Sequence, residues 1–348
     1  MAVNKMFISA LKRNDIDRAI SLMITPGYNV NSTAYKDCTP LILSTKLAYK
    51  DCTPLILSTK LGLVKVVQQL LSLGADTNWQ DKNSRSALTH ACISGNTEII
   101  RELIKAGCNL NRPTAFGDRP IHEAVVYGRL EAVEELLKAG VDINSKNSIT
   151  RQTALQLAVL SEQKEVVDLL IQKNVAIDIP TFEGETALHY AVQINDFRIV
   201  KNLIVAGASI HKKNYIGETP YLLAVQEGKI DHVKTLILAG CKIYSSSYMS
   251  PLSLACTNYN PTMVKYLLSE GYNASEDKSF RQHIYIKMEE RHPQLLDYVY
   301  NRCSNPCSLK EHCRIYIRRL LNNDMDEVVP GLALPKTLKE WILMDVIY

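Results

Sequence analysis

The 348-residue chain is poor in aromatic side chains, 7% in all, and holds only 15 Gly and 13 Pro. So little glycine and proline excludes a collagen-like or low-complexity chain, and 46% hydrophobic residues excludes a mostly disordered one. Neither sign of charge is in excess: 40 Lys and Arg stand against 36 Asp and Glu, a net charge of +4. A surface built to neutralise many phosphates needs more than that, so electrostatics gives no reason to expect a nucleic-acid partner. No run of eighteen apolar residues exists to span a membrane, and the opening MAVNKMFISALKRND lacks a secretory apolar stretch with a cleavage site. Nine Cys, scattered through apolar segments without disulfide-like spacing, fit reduced thiols. Together these absences point to a soluble intracellular protein, expected in the cytoplasm with the nucleus left open. A Gly-rich phosphate loop, paired catalytic carboxylates and a nucleophile–base constellation are missing too, so neither catalysis nor a cofactor is expected.

What the chain does have is self-similarity. A six-residue phrase recurs as TPLILS at Thr53, SALTHA at Ser86, RPIHEA at Arg119, TALQLA at Thr153, TALHYA at Thr186, TPYLLA at Thr219 and SPLSLA at Ser250. The spacings are 33, 33, 34, 33, 33 and 31 residues. After a short turn each phrase is followed by an amphipathic run, such as TEIIRELIKAGCNLN or LEAVEELLKAGVDIN, whose apolar positions recur at three and four residues. Gly74, Gly107, Gly140, Gly207, Gly240 and Gly271 close most of these runs and suit the left-handed residue that ends a helix. Thr or Ser at the phrase start can hold free amides of the first turn, and Pro at the next position has no amide to leave unpaired. A short helix, a turn, a longer helix and a polar link every 33 residues resembles the ankyrin repeat, most closely at Thr186–His189. An all-α solenoid follows, in which each helix pair buries its apolar face against its neighbours. His122 and His189, in the phrases, read as structural, because neither has a partner carboxylate and nucleophile nearby in the pattern. Cys92, Cys108, Cys241 and Cys256 occupy small apolar slots.

Residues 34–47 and 48–61 are identical, both AYKDCTPLILSTKL. A degenerate first unit opens at Met6, and Met6 to Thr53 is 47 residues, one period plus the 14 of the duplicated block. The second copy, joined to LGLVKVVQQLL, is expected to hold the regular place. The solenoid is therefore assigned to residues 1–273, with a degenerate capping unit at 274–304 and a separate tail at 305–348.

In the tail, Ser308 and Glu311 form a capping box, and Leu309, Cys313 and Ile317 recur every four residues with His312, Tyr316 and Leu320 beside them. A Pro-rich piece from Val329 to Pro335 follows, and then a short helix capped by Thr337 and Glu340 that carries Leu338, Trp341 and Ile342. So small a piece buries little surface alone, so its stripe needs a cover: the solenoid end or another chain. Cys303, Cys307, His312 and Cys313 do not have the spacing of paired zinc hooks.

The S-L-x-x-x-C-x-x-x-I pattern of the tail is similar to the elongin-binding box that opens a SOCS box, here residues 308–320. Leu332 to Pro335 resembles the cullin-binding box, here 329–343, although Ala333 stands where the first Pro usually sits. On these motifs the chain resembles the ankyrin-repeat and SOCS-box family over nearly its whole length. The resemblance implies a non-catalytic substrate-recognition subunit of a cullin–RING ubiquitin ligase, with elongin C, elongin B and cullin five with its RING protein as partners. It puts Leu309, Cys313, Ile317, Tyr316 and Leu320 on elongin C, and Pro330, Leu332, Leu334 and Pro335 on the cullin. A plain ankyrin scaffold or inhibitor, its tail an intramolecular cap, is the alternative. A target protein is expected on the aromatic residues that precede the phrases, Trp79, Phe116, Phe182, Tyr215 and Tyr248, which have no helical burial to explain them. Deleting one fourteen-residue copy should leave the fold intact: in a thermal melt the shortened chain is expected to unfold no lower than the full one.

Overall fold

The computed structural model describes residues 2–26, 28–31, 52–241, 250–272, 294, 298 and 299. Sixteen helices are found among them, arranged in antiparallel pairs, and the chain divides into two compact units, Met1–Phe182 and Glu183–Tyr348.

In the first unit the pairs are α1 (Ala2–Lys12) with α2 (Ile16–Met23), α3 (Pro54–Lys60) with α4 (Val64–Ser72), and α5 (Ala87–Ser94) with α6 (Thr97–Lys105). Then come α7 (Pro120–Val126) with α8 (Leu130–Lys138), and α9 (Ala154–Leu160) with α10 (Lys164–Gln172). First helices form one layer, α3 against α5, α5 against α7 and α7 against α9, while α2, α4, α6, α8 and α10 stack as the other. The two layers need different sequences. A first helix is enclosed by neighbours and by its own partner, so α3 is buried along its length from Pro54 to Thr59. A second helix meets the stack on one face only: α6 buries Ile99, Ile100 and Leu103 and turns Arg101 and Lys105 to water. Each buried Leu or Ile contributes about 1.5–3 kcal/mol relative to exposure.

Helix starts follow the phrase. Thr53, Ser86 and Thr153 accept from the backbone N–H three residues on, at 3.3–3.4 Å. Met6 has no side-chain oxygen to cap with, so α1 runs back past it to Ala2. Within the pairs of this unit a left-handed residue makes the turn, such as Gly95 after α5 and Gly128 after α7, and the next unit packs onto those turns through Arg129 and Gln163. Arg129 Nε also donates to the Ile93 carbonyl at 3.0 Å, closing the end of the preceding unit's helix. Where the second helix lacks its closing glycine, Asn174 takes the left-handed conformation at φ 57°.

The second unit repeats the plan with α11 (Ala187–Gln193) and α12 (Phe197–Val205), α13 (Pro220–Gln226) and α14 (Ile230–Leu238), and α15 (Pro251–Thr257) and α16 (Pro261–Ser269). α13 packs on both α11 and α15, and α12 on α14. Lys229 Nζ donates to the carbonyls of Val192, Gln193 and Ile194 at 2.6–3.1 Å, the counterpart of Arg129.

Between stacked units the loops are joined by asparagine side chains. Asp76, Asn109 and Asp142 each fold back on the backbone N–H two residues on, at 2.9 Å. The next asparagine then reaches across: Asn31 Oδ1 accepts from Asp76 N at 2.7 Å, Asn78 Oδ1 from Asn109 N at 2.9 Å, and Asn144 Oδ1 from Ala176 N at 2.9 Å. Removing one such acceptor leaves a loop amide without its partner, so Asn78→Ala should cost about 1 kcal/mol and lower the melting temperature by about 2–4 °C, read by circular dichroism.

Candidate functional site

The loops that precede the first helices are tight hairpins, each closed by a polar side chain at the same register. Asp81 Oδ1 accepts from the N–H groups of Asn83 and Arg85 at 2.9 and 3.0 Å. Thr114 Oγ1 accepts from Phe116 N at 3.3 Å, and Asn147 Oδ1 from the N–H groups of Ile149 and Thr150. In the second unit Asn214 Oδ1 does the same for Ile216 and Glu218. Adjacent hairpins are tied through backbone: Ala115 N to Asn83 O, Ser148 N to Gly117 O and, in the second unit, Tyr215 N to Glu183 O, each at 3.0 Å.

With the backbone satisfied inwardly, the tip side chains point to solvent. In the first unit Phe116 is 64% exposed, Ile149 62% and Phe182 75%, with Trp79 at 40%. In the second, Tyr215 is 77% exposed and Ile216 83%. Several large apolar groups left bare on one unit are unusual on a surface unless something covers them. The tips are also held in place by glycine. Gly184 has φ +82°, and a Cβ there would come within 2.8 Å of the Tyr215 ring. The ring therefore touches the preceding hairpin while most of its surface stays exposed. Ile149 lies against Gly117 in the same way.

Sequence reasoning singled out Trp79, Phe116, Phe182 and Tyr215; the last three are well exposed at hairpin tips, whereas Trp79, 40% exposed, stands two residues before the hairpin that Asp81 closes. It missed Ile149 and Ile216, because only aromatic residues were sought there. It also missed the asparagine links, whose signal was present as the recurring acid-or-Asn, x, Asn triplet at residues 29–31, 76–78, 109–111 and 142–144. Tyr248, the elongin-box residues Leu309, Cys313, Tyr316, Ile317 and Leu320, and the cullin-box residues Pro330, Leu332, Leu334 and Pro335 lie outside the described residues.

The phrase histidines are held at both ring nitrogens. His122 Nδ1 accepts from Arg119 N at 3.1 Å, closing its own helix, and Nε2 donates to Ser145 O of the next hairpin at 3.0 Å. In the second unit His189 joins Thr186 N, at 3.1 Å, to Glu218 O, at 3.3 Å. Gln156 makes the same pair of bonds with an amide, to Thr153 N and Ile179 O. Only the neutral imidazole protonated at Nε2 satisfies both contacts, which leaves no lone pair for base catalysis.

Other titratable groups are committed to structure as well. Asp81 accepts from His90 Nε2 at 2.9 Å and pairs with Lys60 at 3.4 Å. Burial would raise its pKa, but the hydrogen bonds from His90 and from the backbone of Arg85 and Asn83 outweigh it and hold the carboxyl well below the usual range. Burial pushes the Cys108 thiol up to about 11 and that of Cys241 to about 12, so both stay protonated and unreactive. Among the described residues no three His, Cys, Asp or Glu side chains converge as metal ligands would, and no helix is long and apolar enough to cross a membrane.

Against known proteins, residues 55–147, 145–214 and 190–278 match the family model described as ankyrin repeats in three copies, and residues 305–343 match the SOCS box. No curated protein sequence matches the chain. Among solved structures, the ankyrin repeat domain of Bcl-3, described as a unique member of the IkappaB protein family, is similar at 25% identity with a TM-score of 0.57. That alignment covers 62% of this chain and 98% of the other. The human ASB11 ankyrin repeat domain shares the fold at 24% identity with a TM-score of 0.55, over 62% of this chain and 97% of its own.

The histidine bridge makes stability depend on pH. Burial lowers the His122 pKa, against the opposing pull of the Ser145 carbonyl and of Asp118 at 3.9 Å. A histidine depressed in the fold contributes stability that is fully present above the unfolded value, near 6.5, and is lost as pH falls below it. Lowering pH from 7 to 5 should therefore reduce the melting temperature. His122→Gln, which retains both hydrogen bonds as Gln156 does, should melt within about 4 °C of the unaltered chain at pH 7 and lose less on acidification.

Proposed function

Because the chain belongs to the ankyrin-repeat and SOCS-box family, we propose that it holds a target protein on its ankyrin repeats and presents it to a cullin–RING ligase for ubiquitination and proteasomal degradation. SOCS boxes in general bind elongin B/C and cullin five, and proteins that join them to ankyrin repeats are non-catalytic adaptors. The SOCS-box match over residues 305–343 carries the proposal, since ankyrin repeats alone serve many unrelated partners.

In this reading Leu309 and Cys313 enter an apolar pocket of elongin C, with Ile317, Tyr316 and Leu320 extending the same helical stripe. Pro330, Leu332, Leu334 and Pro335 form the cullin contact. Ala333, in place of a proline, frees one backbone angle and gives up some apolar area there, a loss of about 1 kcal/mol. The chain supplies position and no chemical group. Tethering raises the effective concentration of target lysines at the ubiquitin thioester, which the cullin's RING partner brings with the conjugating enzyme.

The hairpin tips of each unit contact the target in this reading. Rigid aromatic groups bind at low entropic cost, and Phe116, Phe182 and Tyr215 are well exposed. This reading assigns the apolar neighbour Ile149 to the same contacts.

Two measurements test this division of labour. Co-expressed with elongin B/C, the full chain should co-purify with them, and Leu309→Asp with Cys313→Asp should abolish that without shifting the melting of the repeats. A tail that serves only as an internal cap would give the reverse, a lowered melting temperature. Phe116→Ala, Phe182→Ala and Tyr215→Ala combined should reduce capture of the proteins that accumulate when the chain is removed from cells, by about tenfold or more, with elongin binding intact. Capture unchanged in the triple variant removes the tips as the target surface.

A further inference from the structure

The fourteen-residue sequence at 34–47 is repeated without change at 48–61. The later copy supplies α3, whose slot is walled by α4 and α5. Thr53 caps its start, Leu55 and Leu57 fill its core, and Lys60 reaches Asp81 at 3.4 Å. Each of these has a twin fourteen residues earlier, so the slot cannot choose between copies by side-chain chemistry. Only the connections at either end distinguish them.

Those connections favour different copies. Asn31 is joined to Asp76 as Asn78 is joined to Asn109, so it marks the end of a regular unit. From Asn78 seven residues lead to the cap Ser86, and from Asn111 seven lead to Arg119. From Asn31 seven residues lead to Thr39, in the earlier copy, and twenty-one lead to Thr53. At the other end α3 meets α4 through three residues, Leu61 to Leu63, where the earlier copy would need seventeen. Loop-closure entropy penalises the lengthened link before α3 about fivefold and the lengthened link after it about thirteenfold, a difference of only about threefold. The bonds from Gly62 N to Thr59 O and from Leu63 N to Ser58 O, both 3.0 Å, add to the observed arrangement.

We propose that the α3 slot accepts either copy: in a minor population Thr39–Leu47 replaces Thr53–Leu61, and the fourteen surplus residues pass from the hairpin before α3 to the turn after it. The exchange needs only the stack and is independent of the ligase reading.

Native trypsin peptides 37–46 and 51–60 are identical, and one substitution makes them distinguishable by mass. The full chain would be prepared with Leu41→Asp, with Leu55→Asp and with both, then melted and pulse-alkylated under native conditions. Leu41→Asp is expected to melt like the unaltered chain and to protect Cys52, which is buried beside α3. Leu55→Asp should keep a cooperative transition, protect Cys38 and expose Cys52. The double variant should melt more than about 10 °C below either single one. Cys38 labelled at the rate of a free thiol in Leu55→Asp, or Leu55→Asp melting with the double variant, overturns the proposal. Should the aspartates prevent purification, Leu41→Ala and Leu55→Ala give the same readout from a milder change.

Discussion

A helix pair from this chain cannot bury itself. Each first helix is apolar on nearly every side and needs a unit before and after it, and this dependence on neighbours is the constraint from which the other features follow. Stacking brings loop amides and helix ends of one unit within reach of side chains of the next, and many of them take their partner there. The asparagine links from Asn31, Asn78 and Asn144, the histidine and glutamine bridges, and the reach of Arg129 and Lys229 to preceding helix ends are solutions to that one problem.

The same constraint creates the candidate surface. Polar side chains at Asp81, Thr114, Asn147 and Asn214 close the hairpins from inside, which leaves the tip positions without structural duty and turned outward. Glycines 117 and 184 let the next tip residue come close against the hairpin before it, so an exposed side chain is also a positioned one. Pre-positioned apolar groups lose little freedom on binding, which is the property a docking surface needs.

Helix existence and order were legible because the phrase and the amphipathic run repeat with a period near 33 and carry their own caps. Cap identity was legible too, at Thr53, Ser86 and Thr153. The histidines were legible only as structural. Their actual task, joining one unit's helix cap to the next unit's hairpin carbonyl, spans more than twenty residues and leaves no local pattern. Among the tips the aromatics were found and the isoleucines were not, since Ile149 and Ile216 sit in hairpins whose sequence alone does not say which side chain faces out.

The sequence by itself determined the repeat, its helix pairs and the family, because periodicity and the tail motifs are properties of residue order. Tertiary structure decided which polar groups meet across units and which tips touch the preceding hairpin yet stay bare. The join of the second copy to LGLVKVVQQLL already pointed to Thr53, and Thr53 stands at the cap of α3. The physical reason is that a side chain's partner is set by what stacks against it. Two stretches with the same residues carry the same local preferences and differ only in what they are connected to.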